Sequence, residues 1–226
     1  MKVGVIIVAA GSGTRFGSQK QLVMLGGKPL FLHSLLIFAA HPKVTDIVVA
    51  VPEDLRQEIH ELTAAIAPPP ILIVAGGTTR QRSVENALQA LPYDADDIVL
   101  VHDAARPFVE PTMIHDLLHK LESWDAAITA IAVTDTLKRM DNVTIAETVP
   151  RKHLFRAQTP QAAKFGKLVD AFRSVGKLRD DYTDEAELLE ACGIACTIVH
   201  GSEDNIKITF PEDLRRAEAI LQIRNG

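Results

Sequence analysis

A glycine-rich segment that carries two cations follows the first apolar run of the chain. Residues 8–21 read VAAGSGTRFGSQKQ and place Gly11 and Gly13 beside Arg15 and Lys20. Glycine permits close approach of a ligand to the backbone, and the N–H groups of such a turn form a concave anion site. Guanidinium and ammonium groups add full positive charge for a phosphate. We therefore predict a phosphate-binding loop, with an ordinary glycine-rich turn as the alternative.

A second segment, GGTTRQRS at residues 76–83, lies between an apolar run and a helical pattern. Its glycines allow a backbone to approach a ligand closely, and either Thr78 or Thr79 is suited to cap the helix. Arg80 and Ser83 would then reach a ligand from the first turns. A plain helix-capping turn is the alternative interpretation.

Two further segments carry charge at the ends of apolar runs. In HDAARP (102–107), Asp103 is suited to hold Mg²⁺, which prefers one or two carboxylates plus substrate phosphates, and Arg106 is suited to a phosphate. An Asp–Arg ion pair at a strand end is the alternative. In EDNIKIT (203–209), Lys207 is either a phosphate ligand or the solvated face of an edge strand.

Other motifs that bind nucleotides or metals do not match this sequence. The dinucleotide pattern G-x-G-x-x-G fails because Phe16 stands where the third glycine belongs, and no carboxylate follows near residues 31–35. No G-K-[ST] follows the first loop, which excludes a P-loop. His115 and His119 have zinc-protease spacing but an aspartate in place of the glutamate base, so we interpret them as surface residues.

Composition restricts the class of protein. The chain has 226 residues, 47% hydrophobic, and a net charge of −5, which argues against general binding of nucleic acid. It has no run of about 18 apolar residues, so no transmembrane helix is expected. The apolar N-terminus is interpreted as a core strand rather than a signal peptide, which predicts a cytoplasmic protein.

Strand and helix patterns alternate along the first half. Nearly continuous Val- and Ile-rich runs predict strands at Val3–Ala9, Asp46–Val51, Ile71–Ala75, Ile98–His102 and Ala126–Val133. Helical patterns lie between them at Pro29–Ala40, Glu53–Ala67, Arg80–Leu91 and Pro111–Ser123. This alternation predicts an α/β fold with a mostly parallel sheet and helices on both faces. The strand ends meet at one edge, where ligands bind.

The pattern changes after Val133. Residues 134–157 are polar and β-prone around an Asp-Asn turn signal, which predicts a projecting β-arm. Such an arm has little core of its own, so we expect it to pack on a second subunit; a loop folded back on its own domain is the alternative. Further on, we predict a helix capped by Thr183, a strand at Ile206–Thr209, and a last helix at Pro211–Arg224.

Eight motifs in this order, AAGSGTR…KQ, GGTTRQRS, HDAARP, DTLK, TVPR, QTPQ, TDEA and DNIKIT, carry a family resemblance. The chain resembles the 2-C-methyl-D-erythritol 4-phosphate cytidylyltransferases from Val3 to about Arg216. The resemblance implies a single Rossmann-like nucleotidyltransferase domain over residues 1–226 and a homodimer joined through the arm. The composition given above predicts no nucleic-acid or membrane partner. It implies that CTP and a polyol phosphate, methylerythritol phosphate, give a CDP-alcohol and pyrophosphate. Ribitol 5-phosphate is the alternative acceptor. A non-catalytic nucleotide-binding module and a dehydrogenase are more distant alternatives for the function of the protein.

The resemblance also assigns roles by motif. It makes Arg15 and Lys20 catalytic, with Mg²⁺ or another divalent cation near Asp103. The CTP-binding residues would be Ala9, Ala10, Gly11, Gly13, Gly77, Arg80 and Ser83. The acceptor-binding residues would be Asp103, Arg106, Thr136, Arg151 and Lys207, with Thr136 and Arg151 reaching the partner subunit's site. Thr159 and Thr183 are further candidates.

Overall fold

The secondary structure is taken from a computed structural model that describes residues 1–11, 16, 19–66, 68–174 and 182–225. The strands, in chain order, are β1 (Val3–Val8), β2 (Met24–Leu25), β3 (Lys28–Pro29), β4 (Asp46–Val51), β5 (Ile71–Ala75), β6 (Ile98–Asp103), β7 (Ala126–Ala132), β8 (Leu137–Asp141), β9 (Thr144–Val149), β10 (Phe155–Lys164) and β11 (Cys196–His200). The α-helices are α1 (Leu30–Ala39), α2 (Arg56–Thr63), α3 (Arg80–Leu88), α4 (Pro111–Lys120), α5 (Phe165–Arg173), α6 (Glu185–Ala191) and α7 (Asp213–Asn225). Short 3-10 turns precede β2 and α2.

The central sheet has seven strands in the order β11-β7-β10-β6-β1-β4-β5. Strands β1, β4, β5 and β6 pair in parallel, and β11 pairs in parallel with β7. Among the described strands of this sheet, β10 alone runs antiparallel to its neighbours, β6 and β7. The predicted α/β fold with a mostly parallel sheet is confirmed.

Both faces of the sheet are covered, which explains why the strands are continuously apolar. In β1, Val5 and Ile7 point to a core formed with α1, α2 and α4, whereas Ile6 points to a second core with α3, α5 and α6. Because successive side chains of a strand point to opposite faces, a strand buried on both sides needs apolar residues at every position. Within the described residues, no helix combines the length and apolar character that crossing a bilayer requires.

Strand β10 was not predicted from the sequence. Its middle reads QTPQ, which has low strand propensity, and the register against β7 shifts between Ala157 and Gln161. Proline lacks the N–H that a ladder needs, so Pro160 argues against a central strand on local grounds. The strand forms nevertheless because β6 and β7 pair with it on both sides.

Two predicted details of the C-terminal part are wrong. Ile206–Thr209 is irregular rather than a strand. The segment contacts the neighbouring loop through the hydrogen bond from Ile208 N–H to the Ala105 carbonyl and through the buried side chain of Ile208, and these two contacts do not form a strand pair. Thr183 does not cap α6, because the carboxylate of Asp184 accepts the Glu187 N–H at 2.9 Å and occupies the N-cap.

A two-stranded hairpin lies within residues 134–157, as predicted. Strands β8 and β9 pair with each other alone among the described strands, and Asn142 takes a positive φ of 51° in the turn. The hairpin leaves Met140, Val143 and Ile145 exposed. Its role in joining two subunits stays a prediction.

Candidate active site

A cavity of about 520 Å³ lies at the edge of the sheet where β1 and β6 end. It therefore has the position expected of a ligand site in a parallel α/β sheet. The cavity is lined by Val8, Ala9, Ala10, Gly11, Lys20, Gln21, Leu30, Gly77, Thr78, Thr79, Arg80, Ser83, Asp103, Ala104, Ala105 and Lys207.

The loop before α3 is held by its own hydroxyls. Gly77 N–H donates to Ser83 Oγ at 3.0 Å, Ser83 Oγ–H donates to the Thr79 carbonyl at 2.8 Å, and Thr79 caps the helix. A Cβ on Gly76 would lie 2.1 Å from the Cβ of Ala10, far inside van der Waals contact. The loops after β1 and β5 can touch because residue 76 has no side chain.

Four charges of alternating sign form a cluster at the cavity, which Arg80, Asp103 and Lys207 line and behind which Glu185 is buried. Arg80 Nε donates to Asp103 Oδ1 at 3.0 Å, and its two terminal nitrogens donate to Glu185 at 2.7 and 2.9 Å. Lys207 Nζ lies 2.7 Å from Asp103 Oδ2. Burial alone would raise the pKa of Asp103, but Arg80 and Lys207 outweigh it and hold that pKa far below its usual range. Burial alone would lower the pKa of Arg80, but Glu185 and Asp103 raise it well above its usual value.

A buried histidine holds the loop that carries Asp103. His102 Nε2 lies 3.0 Å from the Arg106 carbonyl and Nδ1 lies 3.1 Å from Thr159 Oγ1, which also accepts the Asp103 N–H at 3.0 Å. The Thr159 proton is then directed at Nδ1, and Nε2–H donates to the carbonyl, as in a neutral imidazole. Burial lowers the pKa of His102 to about 4, so the imidazole is uncharged at neutral pH. Both of its nitrogens are engaged in hydrogen bonds.

The QTPQ segment of β10 joins three loops at the site. The side-chain amide of Gln158 donates to the Ser202 carbonyl and accepts the Ser202 N–H. Thr159 Oγ1 accepts the N–H of Asp103 at the end of β6. Gln161 donates to Asp184 and accepts the Ala186 N–H at the start of α6. This buried segment holds the loops around the cavity in place.

Arg106 lines a neighbouring cavity of about 340 Å³ rather than the first one. Its terminal nitrogen donates to the Asn205 carbonyl at 2.8 Å, while its buried Nε has no hydrogen-bond partner among the described residues. Arg156 and Arg216 also line this second cavity, and Lys207 lines both. The two spaces therefore meet at Lys207.

The structure brings nine of the predicted site residues to one cavity. These are Ala9, Ala10, Gly11, Lys20, Gly77, Arg80, Ser83, Asp103 and Lys207. Gly13 and Arg15 lie outside the described residues. Thr136 and Arg151 lie on the exposed arm and line neither cavity within this chain, where Arg151 donates to the Thr134 carbonyl.

Asp103 was the predicted metal ligand. Among the described residues, no group of three or more His, Cys, Asp or Glu side chains is suited to hold a metal ion. His115 and His119 accordingly belong to no such cluster. A single carboxylate fits a Mg²⁺ ion whose other ligands are water and substrate phosphates, and does not fit a zinc site built from protein ligands.

Sequence reasoning interpreted Glu185 only as one of the acidic residues at the start of its helix, and it assigned no role to His102 or to the two glutamines of QTPQ. Glu185 is 4% exposed although it is charged, and the only local signal was its place in the TDEA motif. His102 carried no signal beyond its place in HDAARP. Their partners are distant in sequence, so local spacing could not reveal them.

Comparisons of this chain with known proteins all point to the same protein family. The profile of the 2-C-methyl-D-erythritol 4-phosphate cytidylyltransferase family matches residues 3–223. A protein of that name from Halalkalibacterium halodurans is 40% identical over 224 residues, which cover 98% of this chain and 97% of that protein. A crystal structure of 4-diphosphocytidyl-2C-methyl-D-erythritol synthase from Anaerococcus prevotii superposes with a TM-score of 0.86 at 29% identity, covering 98% of each chain.

Some relatives are longer than this chain. A protein described as the bifunctional enzyme IspD/IspF from Desulfotalea psychrophila is 44% identical over 225 residues, which cover 98% of this chain and 58% of that protein. The chain thus spans a little more than half the length of the bifunctional relatives that it matches.

Proposed function

Because this chain belongs to the 2-C-methyl-D-erythritol 4-phosphate cytidylyltransferase family, we propose that it transfers the cytidylyl group of CTP to 2-C-methyl-D-erythritol 4-phosphate. The products would be 4-diphosphocytidyl-2-C-methyl-D-erythritol and pyrophosphate, in the nonmevalonate synthesis of isoprenoid precursors. The observation that carries the proposal is a cavity of backbone loops and cations whose described residues offer no nucleophile–base pair.

The acceptor brings its own nucleophile to this reaction. A phosphate monoester has a second pKa near 6, so its attacking oxygen is an anion at neutral pH and needs no general base. The described residues that line the cavity include no histidine, cysteine or tyrosine. The hydroxyl of Ser83 is engaged within its own loop, and Asp103 is paired with two cations. This chemistry suits a substrate that is already ionised.

The protein must then bring two polyanions together. Positive charge directed at the α-phosphate and at the leaving pyrophosphate lowers the barrier, because charge develops there in the transition state. Lys20 lines the cavity with its ammonium group 2.8 Å from the Ile208 carbonyl. We assign this stabilising role to Lys20 together with Arg15.

A divalent cation fits this arrangement. Mg²⁺ would be held by the triphosphate and by Asp103, and it would neutralise phosphate charge when bound. The residues of this chain would orient the nucleotide: the backbone at Ala9–Gly11 and Gly77 lines the part of the cavity that we assign to cytosine and ribose. Backbone carbonyls there would accept from the exocyclic amine, which uracil lacks.

We place the acceptor where the two cavities meet. Lys207 lines both spaces, and Arg106 contributes a buried Nε that lacks a partner among the described residues. Arg151 and Thr136 would reach this place from the arm of a second copy. In this chain alone, the cross-strand pair Met140 and Ile145 is 54% and 60% exposed, which a two-stranded hairpin does not sustain well in water.

The first experiment measures pyrophosphate release from CTP and Mg²⁺ with methylerythritol 4-phosphate and, in parallel, with ribitol 5-phosphate. Turnover with the first acceptor alone supports the proposal. Turnover with ribitol 5-phosphate alone would keep the chemistry and replace the acceptor. No turnover with either would contradict it.

A second experiment tests the homodimer. The substitution Ile145→Asp places a charge in the apolar face of the arm and should shift the protein from dimer to monomer in sedimentation velocity, while Thr148→Asp on the same strand is the matched control. A wild-type protein that sediments as a monomer would contradict the arm-mediated dimer. The cytoplasmic location stays a prediction.

A further inference from the structure

Glu185 is a buried carboxylate that the proposed mechanism does not use. It is the first residue of α6, its side chain is 5% exposed, and both of its oxygens accept from Arg80. Planar two-bond pairing of this kind fixes the orientation of a guanidinium as well as its position. The two residues are 105 positions apart in sequence, so this contact belongs to the tertiary structure.

Glu185 is itself held rigidly from both sides. Gln161 Nε2 donates to the carboxylate of Asp184 at 2.9 Å, and Gln161 Oε1 accepts the N–H of Ala186 at 3.1 Å. Gln161 is 3% exposed and lies on β10 at the centre of the sheet. The backbone that carries Glu185 is therefore anchored to the sheet and does not follow Arg80.

The pair has a consequence for the charge of the cavity. Arg80 has three N–H donors engaged with Glu185 and Asp103, which fixes the guanidinium at the wall of the cavity that it lines. Asp103 also pairs with Lys207, so the two carboxylates balance the two cations of this cluster. Net positive charge for the triphosphate then comes from outside the cluster, where Lys20 lies.

We propose that Glu185 is a positioning residue that holds Arg80 against Asp103 and keeps Arg80 from acting as an anchor for the triphosphate. The positions of the Asp103 and Lys207 side chains are fixed as a result, and Arg80 adds no ground-state affinity for the triphosphate. Ground-state binding that is not strengthened in the transition state does not raise kcat. The proposal rests on the proposed function, since it concerns CTP in this cavity.

The test replaces Glu185 by glutamine, which has the same shape without the charge. Arg80 then loses its ionic partner and gains freedom to turn towards the phosphates. We expect the Kd for CTP with Mg²⁺, measured by calorimetry without acceptor, to fall by about threefold or more and to become more dependent on salt. We expect kcat to fall by about tenfold or more because Asp103 and Lys207 lose their fixed geometry. Glu190→Gln, on the exposed side of the same helix, is the matched control.

A merely structural role for Glu185 predicts the opposite change in affinity. In that case Glu185→Gln would weaken CTP binding together with kcat and the melting temperature. A Kd for CTP that is unchanged or raised in Glu185→Gln overturns the proposal, as does an equal effect of Glu190→Gln.

A second variant covers the possibility that the glutamine protein does not fold. Glu185→Asp keeps the charge but is shorter by roughly 1.5 Å, so CTP affinity should stay within about twofold of wild type while kcat falls about threefold. Unchanged kcat in Glu185→Asp would refute the positioning role. Wild-type protein that binds CTP but turns over no acceptor would contradict the proposed function alone, since the affinity comparison needs no acceptor.

Discussion

The buried imidazole of His102 should make the protein sensitive to mild acid. In the folded protein His102 is fully buried, hydrogen-bonded at both nitrogens, and packed edge-on to the ring of Phe38 at 5.1 Å. Burial lowers its pKa from 6.5 to about 4. Protonation would add a second donor opposite the hydroxyl of Thr159 and place a charge in an apolar site.

The sign and size of the effect follow from linkage. Between pH 6.5 and about 4 the unfolded chain binds a proton at this residue that the folded chain does not, so stability falls as the pH falls through this window. The contribution of uncharged His102 to the free energy of unfolding is fully present above about pH 6.5. The whole difference in pKa corresponds to roughly 3 kcal/mol, of which about 2 kcal/mol is lost between pH 7 and pH 5.

Urea denaturation followed by circular dichroism at pH 7 and pH 5 measures this loss. His102→Gln keeps a donor for the Arg106 carbonyl and does not titrate, so its stability should change about 2 kcal/mol less than that of wild type over the same interval. His33 and His41, whose pKa values are also lowered by burial, titrate in both proteins and cancel in the comparison. Equal pH dependence in wild type and His102→Gln would refute the reasoning.

Three further predictions concern the cavity and the arm. Gly76→Ala should cost about 2 kcal/mol in urea denaturation and abolish CTP binding, because its Cβ would meet that of Ala10 at 2.1 Å. In contrast, Gly11→Ala, whose Cβ meets no atom of the described residues within 4 Å, should keep full stability and lose CTP affinity alone in calorimetry. Lys20→Ala should lower kcat about a hundredfold and weaken CTP binding far less, and equal losses would make it a ground-state anchor. Arg151→Ala should raise KM for the polyol phosphate about tenfold in steady-state kinetics without changing CTP affinity, and unchanged acceptor kinetics would remove the arm from the site.

Much of the fold could be predicted because its signals are local. Continuous Val- and Ile-rich runs such as Ile98–His102 identify strands buried on both faces, and the helical patterns between them require parallel crossovers. The same alternation places the segments after β1, β5 and β6 at one edge of the sheet. For this reason the sequence alone predicts that the loops of Gly11, Arg80 and Asp103 lie close together.

Local patterns misjudged the elements whose neighbours decide their structure. Strand β10 contains Pro160 and a polar QTPQ segment, and it exists because two strands flank it. Residues 206–209 have strand-like composition but lack a partner strand among the described residues, and they stay irregular. Propensity describes how a segment fits its surroundings, and those surroundings are supplied by the rest of the chain.

By itself the sequence determined the order of the elements, the edge of the sheet at which the candidate site lies, and the residue types gathered there. Only the tertiary structure decided how those residues are paired. Arg80 is tied to Glu185 and Asp103, and Arg106 faces a second cavity rather than the first. The face to which a side chain points depends only on the residue's own strand or helix, so the periodicity of the sequence encodes it. The electrostatic effect of a charged group depends on which other groups lie within a few ångströms, and for Arg80 and Glu185 those groups come from segments 105 residues apart.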